Sequence, residues 1–305
     1  MKLFVTGARG FIGRNCIDLL ENTNFEIHAL SSSKVSPEIK NNIIWHQGDL
    51  LNFNNISNIL TEVNPTHLLH LAWITTPTIY WNSKENYNWV ISSLKLIEKF
   101  TSLGGERIVV AGTCVEYDLN YGFLSEKLTP LNPDSVYGSC KYALYTLLNS
   151  FSKSNECISW AWGRIFYPYG KYENSNKLVP YVINSLLNNR QALCSHGQQI
   201  RDYIYASDVA DIFIKLLTND IQGPINIGSG SPLQLKDLIY RIGKKLNKTD
   251  LIKFEAIESN HNESPIILAD TNRLKNEMKW KPKYTLNENL KSTINWWKTR
   301  YEGVQ

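Results

Sequence analysis

The stretch Leu3-Phe4-Val5-Thr6-Gly7-Ala8-Arg9-Gly10-Phe11-Ile12-Gly13 decides how the rest of the chain is read. Leu3-Phe4-Val5 is a short apolar run of the kind that forms a buried strand. Gly7, Gly10 and Gly13 follow at intervals of three, and Ile12, Cys16, Leu19 and Leu20 then recur at helical spacing. Strand, glycine turn and helix in that order build a phosphate cradle. Glycine permits the tight turn and a close approach of backbone to phosphate, and the helix N-terminus offers free N–H groups at a positive dipole end. The spacing is Gly-x-x-Gly-x-x-Gly rather than Gly-x-Gly-x-x-Gly, so its meaning rests on its place directly after a strand.

Composition narrows the partner of that cradle. The chain has 305 residues, 43% hydrophobic and 20% charged, the balance of a protein that buries a core. A net charge of +4 without a basic run excludes nucleic acid as an expected partner; scattered Arg and Lys suit a small anionic ligand. Five cysteines (Cys16, Cys114, Cys140, Cys157, Cys194) are odd in number and form no C-x-x-C. Neither a zinc site nor a disulfide framework is expected, and a cytoplasmic setting fits. His67 and His70 fall in an apolar run and read as packed side chains, so no metal is expected. Lys2 before the apolar opening only faintly imitates a secretion signal, because Gly7, Arg9 and Gly10 break the run. No stretch approaches the roughly 20 apolar residues of a membrane span.

Strand and helix patterns then alternate, as in a doubly wound parallel α/β sheet. A second strand is expected at 25–30. Its exit, Ser31-Ser32-Ser33-Lys34, lacks the carboxylate that binds an adenosine ribose in NAD-selective sites, and Arg9 can reach the same place. Arg9 with Ser31, Ser32 and Ser33 therefore suits a 2′-phosphate, which favours NADP(H) over NAD(H). A third strand runs from Ile43 to an exit at Gly48-Asp49-Leu50. Asp49 is either a partner of the adenine amino group or the N-cap of the next helix. His67-Leu68-Leu69-His70 reads as a central strand whose exit, Leu71-Ala72-Trp73, passes beneath the cofactor. The aromatics that follow, Tyr80, Trp81, Tyr87 and Trp89, can wall a pocket or pack on a helix at 88–102. That helix is capped at Gly104-Gly105, and another buried strand follows at 107–112.

Thr113 comes next, at the carboxyl edge where open α/β sheets bind ligands. Asp134 or Ser135 can cap a further helix, which puts Tyr137 and Lys141 on one face, one turn apart. A lysine there lowers the phenol pKa toward a useful range, and the Thr113 hydroxyl can fix a substrate carbonyl. Tyr-x-x-x-Lys occurs four times in the chain, but only this copy lies on a capped helix just beyond a strand that ends in Thr.

Taken together these residues resemble the extended short-chain dehydrogenase/reductases, the NAD(P)-dependent epimerases and dehydratases of nucleotide sugars. The matching stretches are Thr6 to Gly13, Gly48-Asp49-Leu50, His70-Leu71-Ala72, Thr113, Tyr137/Lys141, Gly163 to Gly170, Arg201 to Ala210 and Asn226-Ile227-Gly228. The resemblance implies a catalytic triad of Thr113, Tyr137 and Lys141, and an Arg201 that grips the substrate diphosphate. It implies a place under the nucleobase for Lys177-Leu178-Val179, with Tyr80, Cys114 and Tyr167 also on the substrate side. Two departures stand out: Tyr167 replaces a common Asn, and Asn260-His261-Asn262-Glu263-Ser264-Pro265 lacks the second diphosphate arginine.

The same resemblance sorts the reactions. Dehydratases carry Asp-Glu after the catalytic Thr, where this chain has Cys114-Val115, so dehydration is not expected. Epimerase-reductases place a cysteine at the position of Val115; Cys114, one residue earlier, reads as a packed thiol rather than a base. Glu116-Tyr117 resembles the pattern of reductases of 4-keto-6-deoxy sugars. The expected activity is therefore NADPH-dependent reduction of a nucleotide-linked 4-keto-6-deoxy sugar. The alternatives are an NAD-dependent nucleotide-sugar 4-epimerase and a non-catalytic dinucleotide-sensing module. The expected architecture is a Rossmann-like domain over 1–163 with a return segment at 201–223, and a smaller C-terminal substrate-binding lobe from 164–200 and 229–305. Trp280-Lys281-Pro282 precedes a last helix at 286–301. By analogy a homodimer forms through helices near 91–100 and 137–151.

Overall fold

The computed structural model describes residues 1–34, 42–154, 158–258 and 263–302. Cys157, Asn260-His261-Asn262 and the end of the expected lobe, 303–305, lie outside them. The opening apolar run becomes β1 (Lys2–Thr6), near the middle of a seven-stranded parallel sheet. Its other strands are β2 (Glu26–Ser31), β3 (Ile43–Gln47), β4 (His67–His70), β5 (Arg107–Thr113), β7 (Ser159–Ile165) and β12 (Gly223–Ile227), in the order β12-β7-β5-β4-β1-β2-β3. The chain builds outward from β1 in one direction and from β4 in the other. Their paired carboxyl ends, Thr6 beside His70, therefore mark the switch point where a crevice opens.

Side chains alternate across β1, so its two faces feed two cores. Leu3 and Val5 pack with Ile17 of α1 (Phe11–Leu20) and Phe213 and Leu216 of α6 (Ala206–Thr218). Phe4 packs on the other side with Leu60 of α2 (Phe53–Val63), Leu96 and Phe100 of α3 (Glu85–Ser102) and Leu144 of α4 (Val136–Lys153). Helices on both faces make this a Rossmann-like α/β sheet.

A third core, with Val182, Leu186, Leu238, Ile242 and Leu290, joins α5 (Leu178–Leu187), α7 (Leu235–Leu246) and α8 (Leu286–Glu302). Short strands stitch this part together. β6 (Phe123–Leu124), β10 (Ile200–Arg201), β13 (Leu233–Gln234) and β15 (Ile266–Ala269) form a four-stranded sheet, while β8 (Tyr167–Tyr169) pairs with β11 (Tyr203–Tyr205) and β9 (Ala192–Leu193) with β14 (Ile252–Lys253).

Several boundaries differ from the sequence expectation. β2 runs on to Ser31, and α3 begins at Glu85 instead of 88. The buried Asn86 explains the earlier start: its amide donates to Tyr80 O and Ser83 O and accepts from Trp73 Nε1, contacts that apolar periodicity does not register. β12 extends to Ile227, beyond the expected end of the return segment at 223. Leu274 and Trp280, expected in the substrate lobe, pack in the core of the sheet, where Trp280 Nε1 donates to Asp211 of α6 at 2.8 Å.

Candidate active site

The glycine loop is fixed by two close approaches. Gly7 has φ +69°, and a Cβ there would lie 2.6 Å from the Ala72 nitrogen. A Cβ on Gly13 would lie 2.0 Å from the Gly7 carbonyl oxygen, so α1 can meet the loop only through glycine. Gly10, which donates its N–H to Gly7 O at 2.9 Å, is the N-cap of α1 and brings no side chain to it. The first turn, from Phe11 and Ile12, thus presents its N–H groups and dipole to the crevice. Thr6 Oγ1 accepts from the Ala72 N–H at 3.3 Å and shares a 2.7 Å hydrogen bond with His70 Nδ1, whose Nε2 meets Ser93 at 2.8 Å. Burial, aided by Lys141, holds His70 neutral down to about 3. It is a packed histidine, as expected. This cradle, tight at the backbone and lined by half-buried Leu71 and Ala72, fits a dinucleotide.

At the far end of that cradle, Arg9 Nη1 donates to Ser33 Oγ at 3.1 Å and Lys34 O at 3.0 Å. Ser31 is buried and donates to Ser33 O, while Ser32 and Ser33 are exposed. Asp49 is exposed and accepts from Leu51 N at 3.0 Å. The N-cap position of α2 belongs to Asn52, so Asp49 is not that cap. Leu50 is buried beneath it.

The reacting end forms where β5 stops. Thr113 is the last strand residue, not the first after it, and its Oγ1 accepts from Val115 N at 3.4 Å. Ser135 Oγ caps α4 by accepting from Gly138 N at 3.0 Å, which sets Tyr137 in the first turn. Tyr137 is half-buried and is flanked edge-on by Tyr80 (5.0 Å between ring centres) and Trp81 (5.9 Å). Lys141 corrects an expectation. Its buried Nζ donates to Ala111 O at 2.8 Å and lies 3.9 Å above the Trp73 ring. Burial pulls this ammonium down to about 7, against Glu116. Burial likewise pushes the Tyr137 phenol above its ordinary value, with Tyr80 adding and the nearby Thr113 hydroxyl opposing. Desolvation, not the lysine, dominates that phenol.

Glu116 is the residue that sequence reasoning underused. Fully buried, it accepts from the Thr113 N–H at 2.7 Å, from Trp162 Nε1 at 2.9 Å and from Arg164 Nε at 2.7 Å. Arg164 then donates to the Tyr117 hydroxyl at 3.0 Å, and Tyr117 to Asn226 at 2.8 Å. Thr113 and Glu116 form a capping box around a single 3-10 turn. The spacing Thr-x-x-Glu is the legible signal for it. Inside this turn, burial pushes the Cys114 thiol up to about 12, which leaves a packed thiol and not a base.

Of the residues expected on the substrate side, Lys177 occupies the N-cap position of α5 and lies 5.3 Å over the Tyr80 ring; Leu178 is half-buried and Val179 buried. Glu173, which no sequence pattern singles out, is buried beside it, and burial lifts its carboxyl to about 8 against the Gly170 amide and Lys177. Tyr167 packs against Tyr203 and sits 5.5 Å from the Arg201 guanidinium. Arg201 pairs with Glu263 at 2.5 Å, whereas Asp202 accepts from Ser229, Gly230 and Ala269. A cleft of about 550 Å³ opens between Phe11, Leu51, Trp73, Thr75, Trp89 and Tyr172. Among the described residues no group of His, Cys, Asp or Glu is gathered that could hold a metal, and no helix is long and apolar enough to cross a membrane.

Comparison with known proteins agrees with this layout. The model of the NAD dependent epimerase/dehydratase family matches residues 3–228. The chain is 23% identical to the CDP-abequose synthase of Salmonella muenchen, over 96% of this chain and 97% of that one. It is 27% identical to the dTDP-4-dehydro-6-deoxyglucose reductase of Escherichia coli, over 96% of each. Among solved structures, the UDP-glucose 4-epimerase of Thermus thermophilus in complex with NAD superposes with a TM-score of 0.83 at 19% identity, over 98% of this chain and 99% of that one.

Proposed function

Because the chain belongs to the NAD dependent epimerase/dehydratase family, we propose that this NAD(P)-dependent enzyme of nucleotide-sugar metabolism reduces the C4 carbonyl of a nucleotide-linked 4-keto-6-deoxy sugar, with NADPH as reductant. When bound, the nicotinamide supplies the hydride to C4. The chain supplies the rest: the Thr113 hydroxyl holds the carbonyl oxygen, and the Tyr137 phenol gives that oxygen its proton. The observation that carries the reading is the setting of Tyr137: the Ser135 cap holds it in the first turn of α4, within the influence of the Thr113 hydroxyl at the end of β5, where burial keeps the phenol protonated. A protonated phenol is ready to donate, which is what reduction requires. The neighbouring Cys114 and Val115 offer no acid–base pair for dehydration. A relative whose name is that of a 4-dehydro-6-deoxy-sugar reductase supports the same direction.

Arg201, Tyr167, Lys177, Leu178 and Val179 are assigned to the nucleotide sugar, and Arg9 with Ser33 to a cofactor 2′-phosphate. A cytoplasmic homodimer is part of this reading. The outward Tyr87 and Ile91 of α3 and Leu147 of α4 offer an apolar face for the second copy.

The test is cofactor consumption across a panel of nucleotide-linked keto sugars, with NADPH and NADH in parallel. A reductase consumes NADPH in equal amount to product. Turnover with cofactor retained and none added would establish the epimerase instead; cofactor binding without turnover of any panel member would leave a dinucleotide sensor.

A further inference from the structure

Arg201 is 1% exposed, yet its ion-pair partner is not part of the core. Glu263 is 40% exposed, sits just before β15, and reaches inward to place Oε1 2.5 Å from Nη2 of the guanidinium. The other guanidinium contacts, from Nη1, are backbone carbonyls, Ile200 O at 2.9 Å and Pro265 O at 3.3 Å. A second buried polar side chain joins this pair. Gln199 Nε2 donates to Glu263 Oε2 at 3.3 Å, and its Oε1 is buried with no hydrogen-bond partner among the described residues. The group lies on the substrate side of the site: Arg201 sits beside Tyr167, and its charge is felt at Cys114, next to Thr113.

A buried guanidinium needs a counter-charge, and a carboxylate satisfies it with the same paired oxygens that a phosphate offers. Glu263 is exposed enough to swing into water at modest desolvation cost, which a core carboxylate cannot do. Gln199 Oε1, without a partner among the described residues, is an acceptor that a ligand hydroxyl can fill.

We propose that Glu263 is a specificity-determining residue that stands in for the substrate's anionic group on Arg201 and must leave when a phosphate binds. This rests on the reading of Arg201 as the holder of that group. Arg201 and Gln199 then form a subsite for phosphate oxygens and a neighbouring hydroxyl, and Glu263 sets the affinity any anion must exceed to enter.

Calorimetric titration with UDP, CDP and dTDP tests this on the wild type, Glu263→Gln and Arg201→Lys. Removing the competing charge tightens nucleoside diphosphate binding by about tenfold, the factor set by about 1.4 kcal/mol of lost competition. Glu263→Gln alone melts at lower temperature than the wild type but gains more from the ligand, and its KM for the nucleotide sugar falls. A merely structural Glu263 would lower the melting temperature without tightening binding; equal or weaker binding in Glu263→Gln overturns the proposal. Arg201→Lys separates the two readings, because it loses the bidentate fork. If it binds nucleoside diphosphate less well while Glu263→Gln is unchanged, Arg201 keeps its role and Glu263 loses its own. If Arg201→Lys binds as well as the wild type, the assignment of Arg201 itself fails.

Discussion

Two buried arginines, Arg164 and Arg201, are held by opposite means. Arg164 meets Glu116, and both side chains are essentially without solvent contact. Arg201 is equally buried, but its carboxylate partner stands 40% exposed on a connecting segment. The first pair sits behind Thr113 and ties its N–H, Trp162 and Tyr117 into one network. Neither charge can leave, since each would face an unpaired partner in the core. The second pair has one partner that water can take back. The difference teaches which ion pair is scaffold and which is exchangeable: the exposure of the weaker-held partner decides, not the distance, which is short in both.

The comparison breaks first at Arg164. Arg164→Met should cost about 3–5 kcal/mol, because it leaves the Glu116 carboxylate buried alone. Glu263→Gln should cost only about 1–2 kcal/mol, since a hydrogen bond remains. Urea unfolding measures both, and equal losses would erase the distinction between the two pairs.

The next effect lies in turnover. Tyr137→Phe should lower turnover by about a hundredfold or more while leaving cofactor affinity intact. Rapid-mixing kinetics with cofactor fluorescence measure both, and near-normal turnover removes Tyr137 from the role of proton donor.

Glu173 sharpens the comparison by pH. Burial raises its carboxyl to about 8, above its ordinary value near 4.5. The folded state therefore holds a proton that the unfolded state has lost over that interval, and stability falls as pH rises from about 4.5 to about 8. Glu173→Gln should flatten this slope in urea midpoints. His70 acts in the opposite sense below its ordinary value, losing stability as pH falls toward about 3, and is unaffected by the variant.

The smallest effect is expected at Arg9, which is exposed. Arg9→Gln should weaken NADPH by about tenfold and leave NADH nearly unchanged, since only the 2′-phosphate ion pairs are lost. Parallel titrations with the two cofactors measure this, and equal losses would move Arg9 from selectivity to general binding.

The sequence by itself determined the sheet, the glycine cradle and the Thr113, Tyr137 and Lys141 positions. These follow from local rules: apolar runs form strands, glycine is forced where φ is positive or backbones touch, and a capped helix places residues four apart on one face. What those side chains touch was decided by the tertiary structure. Lys141 turns to Ala111 O and the Trp73 ring, which no spacing predicts. Glu116 gains its meaning from Trp162 and Arg164, far along the chain. Asn86, Trp280 and Glu263 find partners that are likewise remote or set by how segments pack. Hydrophobic periodicity reports which face a residue turns inward. It carries no record of which buried polar group will be waiting there, because desolvation and ion pairing depend on everything that closes around the site.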